Sequence, residues 1–401
     1  MAAPLKGLRV VELARILAGP WIGQTLADLG ADVIKIESPG GDDTRSFGPP
    51  FVRNVDGTTS DAAYFHCCNR GKRSVTADFN SAEDLTFVER LIDRADVVIE
   101  NFKCGGLEKY RLDYMSRAKS NPRLVYCSVT GFGQDGPYAA RAGYDAIIQG
   151  MGGIMDLTGS PSDEPQKVGV AVADIFTGVY GVIAIQAALA QRERTGLGQH
   201  IDMALFDVMV SVLANQALSY LVSGTTPHRL GNAHPSIVPY QAFAVRDGNV
   251  MIAVGNDMQF RRFCCVLRAE AMVSDPRYST NADRVQSREI LVPLLAGLLA
   301  EWNRDELLRE LERVGVPAGP INTVREVFAD PQVAFRKMLV ELPAPEALGG
   351  YIPTVRTPIR FSAASLELGS TSPRLGQHTT EVKRQIAAHE WPQRQAAPAL
   401  E

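Results

Sequence analysis

Asp174 lies at the junction between a segment of small residues and a long apolar segment. Asp174 closes the sequence GVAVAD at 169–174, and residues 175–194 are rich in Ala, Ile and Val. Such an aspartate can cap the helix that follows, because its oxygen accepts a backbone amide at a gain of about 1 kcal/mol. A carboxylate can also attack an activated acyl group covalently, with donors near the helix start stabilising the oxyanion. The residues alone leave both roles open.

Basic residues form a second group of candidates, because they follow predicted strand–helix turns. The group comprises Arg45, Arg70, Lys72, Arg73 and Lys109. Ligands of open α/β folds bind at the carboxyl edge of the sheet, so these cations could meet an anionic ligand there. The six histidines lack metal-ligand spacing, and neither a G-x-S-x-G nor a Cys/His signature occurs. The sequence therefore predicts no bound metal and no acyl-serine or acyl-cysteine chemistry.

Alternating strands and helices over residues 1–200 must hold these groups in place. Residues 8–13 and 31–37 are predicted strands, and 20–29 is a predicted helix that Pro20 opens and Gly30 ends. Further strands are predicted at 73–78, 95–100 and 124–129, and helices at 82–94, 107–118 and 174–194. These β-α-β units predict an α/β fold with a Rossmann-like parallel sheet. The first turn holds Ala18-Gly19-Pro20 instead of G-x-G-x-x-G, which argues against an NAD-type site.

The composition changes after residue 200, which predicts a second domain. We expect a large α/β domain from 1–200, a linker helix at 201–224, a smaller α+β domain at 225–325, and a return segment at 326–401 that completes the large domain. Within the small domain, a D-G pair at 247–248 between two apolar alternations predicts a hairpin over 240–254.

Charge and composition exclude several classes of function. The 401-residue chain carries 41 basic and 45 acidic residues, a net charge of −4, whereas a general nucleic-acid binder needs a surplus of Lys and Arg. The longest apolar stretch, 204–222, is interrupted by polar residues and is typical of a buried helix. No signal peptide is recognisable, and the six cysteines show no C-x-x-C spacing. We therefore expect a soluble, cytoplasmic protein with neither a nucleic-acid nor a membrane partner.

Nine short motifs, taken in order, resemble the class III CoA transferases, the CaiB/BaiF family. They are LAGPW at 17–21, LGADVIKIE at 29–37, GDDTR at 41–45, NRGKRS at 69–74, ADVVIENF at 95–102, GYDA at 143–146, GVAVAD at 169–174, GPIN at 319–322 and LGQHT at 375–379. The resemblance spans nearly the whole chain and implies an interlocked homodimer in which each chain forms a ring threaded by the other. Within the family, the segments at 41–51 and 234–243 are most similar to the succinyl-CoA:dicarboxylate branch of glutarate type.

The resemblance implies that Asp174 is the catalytic nucleophile. Its carboxylate would form an aspartyl–acyl anhydride with the donor, then an aspartyl–CoA thioester, and the acceptor acid would reverse both steps. Coenzyme A thioesters are then substrates, and no permanently bound cofactor is expected. At an ordinary Asp pKa of about 3.9, the nucleophile would be ionised at neutral pH. The implied CoA contacts, with the two lysines meeting phosphates, are Ile16, Leu17, Ala18, Lys72, Asn101, Phe102, Lys109, Tyr110 and Tyr144.

A dicarboxylate acceptor needs a cation or several donors for its distal carboxylate. Residue type and position suggest Arg15, Arg45 and His234, while the acceptor stays open among glutarate, itaconate, citramalate, mesaconate and malate. Alternatives are a transferase for another acyl pair (formyl/oxalate, carnitine or an aromatic acid), a non-enzymatic CoA-binding protein, and an α-methylacyl-CoA racemase. The racemase needs a histidine where this chain has Tyr144, and a tyrosine of pKa about 10 is a poor proton shuttle at neutral pH.

Overall fold

The computed structural model describes residues 2–388 and residue 391. The strands are β1 (Arg9–Glu12), β2 (Asp32–Glu37), β3 (Phe51–Arg53), β4 (Thr59–Ala62), β5 (Arg73–Thr76), β6 (Val97–Glu100), β7 (Val125–Thr130), β8 (His200–Ala204), β9 (Tyr240–Val245), β10 (Gly248–Ala253), β11 (Ala318–Pro320), β12 (Leu339–Pro343) and β13 (Tyr351–Val355). The helices up to residue 223 are α1 (Ala18–Asp28), α2 (Ala63–Asn69), α3 (Ala82–Ile92), α4 (Tyr114–Ser120), α5 (Asp145–Met151), α6 (Ile154–Leu157), α7 (Val172–Thr195), α8 (Leu205–Ser211) and α9 (Ala214–Ser223). The later helices are α10 (Asp257–Val266), α11 (Asn281–Gln286), α12 (Arg288–Leu299), α13 (Arg304–Arg313), α14 (Val324–Ala329), α15 (Pro331–Phe335) and α16 (Thr379–Ala387).

A six-stranded parallel sheet, in the order β5-β2-β1-β6-β7-β8, confirms the predicted α/β fold. Successive side chains of a strand point to opposite faces of a sheet. Val10 accordingly packs in a core with residues of α1 and α7, whereas Val11 packs in a second core with residues of α3 and α16. Both faces of the sheet are therefore covered by helices, and the carboxyl ends of its strands form one edge.

The chain divides into two compact units. The first lies within Met1–Ile154, Val168–Leu218 and Gln332–Glu401, and the second comprises Met155–Lys167 and Ser219–Pro331. The second unit thus takes in residues 155–167, which the predicted boundaries assigned to the large domain. Local bonds account for this: the amide of Gly231 donates to the Gly159 carbonyl at 3.0 Å, and Arg229 pairs with Asp156 at 2.9 Å. The end of the predicted return segment, 392–401, lies outside the described residues.

The second unit contains the predicted hairpin. Strands β9 and β10 pair antiparallel with Gly248 opposite Val245, and β11 extends the sheet on the other side of β10. Apolar residues of this sheet pack against α10, α12 and α13.

The predicted linker helix at 201–224 is wrong in its first part. Residues 200–204 form β8 and pair in parallel with β7, from His200 opposite Tyr126 to Ala204 opposite Thr130. The helical part that follows is two helices, α8 and α9, bent by 70°. A nearly uncharged stretch fits an edge strand as well as a helix, so composition could not separate the two.

Candidate active site

The first strand–helix turn is held open by side chains from neighbouring segments. Asn101, directly after β6, accepts the Arg15 amide at 2.9 Å and donates to the Arg15 carbonyl at 2.7 Å. Asp42 accepts the amide of Ile16, whose φ of 70° is unusual for a β-branched residue. The turn before α1 is therefore fixed by contacts that leave its outer side free for a ligand.

Close packing of α7 on α1 brings Asp174 to this turn. An added Cβ at Gly181 would lie 2.4 Å from Cδ1 of Ile22, and one at Gly178 would lie 3.1 Å from the Ala18 carbonyl. A side chain at either position would force its neighbours to shift, so glycine favours this close approach. Because Gly178 lies one turn after Asp174, the start of α7 stands beside the start of α1.

Asp174 does not cap its own helix, so that reading of the sequence is wrong. Helix α7 begins two residues earlier than predicted, and its N-cap residue is Ala171. The side chain of Ala171 makes no capping hydrogen bond. Instead, Oδ1 of Asp145 accepts the amide of Ala173 at 2.8 Å and that of Asp174 at 3.4 Å. Gln149 holds the other Asp145 oxygen at 2.7 Å. Asp145 thus caps α7 from a different helix and leaves the Asp174 carboxyl free.

The expectation of an ordinary pKa for Asp174 is also wrong. Burial, and then the charge of Asp145, raises the pKa of Asp174 from 3.8 to about 7. Both causes disfavour the carboxylate, since burial removes water from it and a neighbouring anion repels it. Burial, followed by the charge of Asp174, raises the pKa of Tyr64 on α2 to about 12. Tyr64 therefore remains a neutral hydrogen-bond donor close to the carboxyl.

A cavity of about 460 Å³ at the carboxyl edge of the sheet contains Asp174. Cations and small apolar residues line it, together with the segment 139–144. The predicted site residues that it brings together with Asp174 are Arg15, Ile16, Leu17, Ala18, Asn101, Phe102, Lys109 and Tyr144. Such a concave site with a few convergent polar groups is typical of a ligand site at this edge.

The structure does not bring Lys72 to the cavity, which corrects the expected phosphate contact. Its Nζ lies 2.8 Å from the Glu12 carboxylate and donates to Asn69 and to the Pro20 carbonyl, each at 2.9 Å. The Lys72 side chain is fully buried, with an exposed fraction of 0%. All three of its donors are occupied, so this ammonium group compensates a buried carboxylate.

Arg45 is likewise not available for a substrate carboxylate. Its guanidinium bonds Glu37 at 2.7 Å and Asp61 at 2.5 Å, and it lies over the Phe65 ring with Cζ 3.7 Å from the centroid. Two carboxylates thus neutralise the predicted cation.

Tyr110 is not among the residues that line the cavity, although Nζ of Lys109, which does line it, lies 4.6 Å from the centroid of the Tyr110 ring. The Tyr110 ring packs edge-on against Phe79 at 5.3 Å, beside the core formed with α3. His234 belongs to the second unit, where it stacks on Tyr240 at 5.2 Å and accepts the Ser236 amide. Its predicted role in substrate binding stays a prediction.

Sequence reasoning missed three side chains at or near the cavity: Tyr64, Arg141 and Asp145. Asp145 lies in the GYDA motif, so its position was visible while its capping role was not. Arg141 lies two positions before that motif and lines the cavity. Tyr64 lies on a short helix that no sequence pattern indicated.

Comparisons with known proteins agree with this geometry. Residues 5–379 match the family model described as CoA-transferase family III. The chain is 56% identical over 384 residues to succinate–glutarate CoA-transferase of Agrobacterium fabrum, covering 96% of each. It is 40% identical over 388 residues to succinyl-CoA:glutarate CoA-transferase of Mus musculus, covering 96% of this chain and 87% of that one. The solved structure of a CaiB/BaiF family protein from Brucella suis matches with a TM-score of 0.86 at 61% identity, over 96% of this chain and 100% of that one.

Proposed function

This chain belongs to CoA-transferase family III, and on that premise we propose that it moves coenzyme A from succinyl-CoA to a small dicarboxylic acid such as glutarate. The observation that carries the proposal is that one cavity contains Asp174, largely buried, together with the cations and apolar residues expected to bind CoA. The names of the relatives in Agrobacterium fabrum and Mus musculus support the donor and acceptor classes.

In the proposed mechanism, the Asp174 carboxylate attacks the succinyl-CoA carbonyl carbon and CoA leaves as the thiolate. This forms a succinyl–aspartyl anhydride. The thiolate then attacks the aspartyl carbonyl, which releases succinate and leaves an aspartyl–CoA thioester. The acceptor carboxylate attacks that thioester, and the freed thiolate attacks the acceptor carbonyl, giving the new acyl-CoA and regenerating Asp174. The acyl group stays activated throughout, so the exchange consumes no other co-substrate.

The surroundings of Asp174 suit this chemistry. Small residues precede it, so a bound thioester can approach, and the helix dipole places a partial positive charge at the start of α7. Tyr64 adds a neutral donor nearby. These groups would stabilise the tetrahedral oxyanions that form at each attack.

We also infer a homodimer, as the resemblance implies. Phe176, Val179, Tyr180 and Ile183 on α7 are 42–56% exposed in the chain described here, and apolar faces of this kind mark interaction surfaces. By length and composition α7 could also cross a membrane, a property it shares with core helices of soluble proteins. Light scattering of the full chain should give twice the chain mass, and a monomer at micromolar concentration would contradict the dimer.

The experiment that tests the function is incubation with succinyl-CoA and a panel of acids, with product thioesters identified by mass. The panel contains glutarate, itaconate, citramalate, mesaconate and malate, with oxalate, formate, carnitine and benzoate for the alternative acyl pairs. We expect dicarboxylyl-CoA products. Transfer only to the second group would favour another acyl pair, and absence of any transfer would reject the proposal.

The role of Asp174 requires a separate test, because the exchange could proceed through another group. Hydroxylamine added during turnover should convert Asp174 to its hydroxamate. An acceptor acid whose carboxylate carries a heavy oxygen isotope should leave one label in the Asp174 peptide after a single turnover. Asp174→Asn should abolish both signals while succinyl-CoA still binds, and a label on another residue would remove Asp174 from the mechanism.

A further inference from the structure

The cavity is lined by a cation that makes no ion pair with any acidic side chain in the described part of the chain. This cation is Arg141, which lies on the segment that connects β7 to α5. We propose that Arg141 binds the distal carboxylate of the dicarboxylic acid, and that it thereby selects dicarboxylates over monocarboxylates. This inference rests on the proposed function, since it assigns the second end of the same substrate.

The guanidinium of Arg141 is held on an aromatic support. Its Cζ lies 3.9 Å from the centroid of the Tyr138 ring, and the Arg141 amide donates to the Tyr138 carbonyl at 2.8 Å. The Tyr138 ring in turn stands edge-on to Phe132 at 5.5 Å, and Phe132 packs against Phe206 of α8 at 5.7 Å. A ring face attracts the cation while its planar fork of N–H donors remains available. Arg141 is thus oriented before any ligand binds.

The backbone around Arg141 is fixed at two points. Gly143 passes against Gly131 so closely that a Cβ on Gly131 would lie 2.6 Å from the Gly143 Cα. Two residues further on, Asp145 accepts the amide of Asp174 at 3.4 Å. The segment that carries Arg141 is therefore attached both to the end of β7 and to the start of the nucleophile's helix.

The distances that this attachment allows fit a dicarboxylate. Asp145 lies four positions after Arg141, so their Cα atoms are at most about 14 Å apart. With single bonds of about 1.5 Å, the five carbons of a glutaryl group span about 5 Å. A glutaryl group joined to Asp174 extends from one side, and the long Arg141 side chain extends from the other. Together they can bring the distal carboxylate to the guanidinium within one cavity.

The other cations of the cavity fit this task less well. Arg15 is already paired with Asp43 at 3.0 Å. Lys109 is the cavity lysine for which the family resemblance implies a phosphate contact, and Lys103 lies on the same segment after β6. Among the residues that the structure describes, Arg141 takes part in no ion pair. A carboxylate prefers the bidentate fork of an arginine to the point charge of a lysine.

The test compares substrates that differ only in the distal carboxylate. Wild type, Arg141→Gln, Arg141→Lys and Arg15→Gln are assayed with glutarate and with butyrate as acceptors, and with succinyl-CoA and butyryl-CoA as donors. For Arg141→Gln we expect KM for glutarate and for succinyl-CoA to rise about 10- to 100-fold, the usual loss for a hydrogen bond to a charged group. KM for butyrate and butyryl-CoA should stay within about twofold, and Arg141→Lys should recover part of the loss.

Each other outcome overturns the inference. An equal rise for butyryl-CoA and succinyl-CoA would place Arg141 on the CoA moiety, and a selective loss in Arg15→Gln alone would assign the carboxylate to Arg15. In both cases wild type still transfers CoA to glutarate, so the proposed function stands. If wild type transfers no CoA to any dicarboxylate, the proposed function fails and the inference fails with it. Unchanged melting of the Arg141→Gln variant shows that the loss is not unfolding.

Discussion

Replacing Asp174 by Asn should make the protein more stable, and more so at neutral to alkaline pH than at acidic pH. The pKa of Asp174 rises from 3.8 to about 7 on folding, and each pKa unit corresponds to about 1.36 kcal/mol. Ionising the folded protein at this site therefore costs about 4 kcal/mol in free energy of unfolding. Because the folded pKa is raised, the cost is absent below the unfolded value, grows between the two values and is complete above about 7. Asn has nearly the same shape and carries no charge.

Thermal unfolding of wild type and Asp174→Asn at pH 5 and pH 8 measures this cost. The variant should melt several degrees higher at pH 8, while the difference should shrink at pH 5. The comparison must be with wild type at each pH, because burial also raises the pKa of Glu100 to about 7. Asp163→Asn, on an exposed loop, controls for the amide substitution itself. The same melting difference at both pH values, or a variant less stable at pH 8, would refute the reasoning.

Three further predictions concern the charge of Asp145, the buried pair of Lys72 with Glu12, and two glycines. Asp145→Asn keeps the oxygen that accepts the amides of α7 but removes a negative charge beside Asp174. The acidic limb of the pH profile of kcat/KM should therefore move to lower pH. A limb that does not move would show that burial alone sets the pKa of Asp174. Lys72→Ala removes one of the two ammonium groups that bind the buried Glu12 carboxylate, leaving Lys35 at 3.1 Å, and should cost about 1–3 kcal/mol in denaturant unfolding. Lys109→Ala should instead raise KM for every CoA thioester with unchanged unfolding, and the reverse pattern would restore the sequence-based assignment. Gly23→Ala places a Cβ 1.7 Å from the Glu12 carboxylate and should lower the free energy of unfolding by at least about 3 kcal/mol. Gly297→Ala, in open space on α12, should raise it by about 1 kcal/mol. Similar effects of the two substitutions would be inconsistent with the packing.

The sequence predicted those elements whose signals are local. The first β-α-β unit carries its own boundaries, and Gly30, at φ 100°, ends α1 as expected. The helix predicted at 107–118 failed for an equally local reason that the sequence hides. Arg111 adopts a left-handed φ of 56° between a short 3-10 turn and α4, whose cap is Asp113. Left-handed arginines have no sequence signature, so the break could not be foreseen.

The site residues show a different limit, because their roles depend on partners distant in sequence. Lys72 and Arg45 stand in motifs of the predicted edge, yet Glu12 on β1 and Glu37 on β2 bind them inside the protein. Which carboxylate a cation meets depends on strand order, and strand order is not written in either motif. The pKa of Asp174 likewise depends on a neighbour in another helix. Composition can therefore identify a candidate charge, but only the fold decides whether that charge reaches solvent.

The raised pKa of Asp174 favours the proposed mechanism when its two consequences are compared. At pH 7 about half of the carboxyl is protonated, which lowers the active fraction about twofold. The ionised half carries the cost of about 4 kcal/mol, and acylation removes that charge from the site. Relief of the whole cost in the transition state would accelerate anhydride formation by about 10³-fold. The twofold loss of the ionised fraction is thus small beside an acceleration of up to about 10³-fold. This difference explains why a nucleophilic carboxylate would be buried beside a second carboxylate rather than exposed to water.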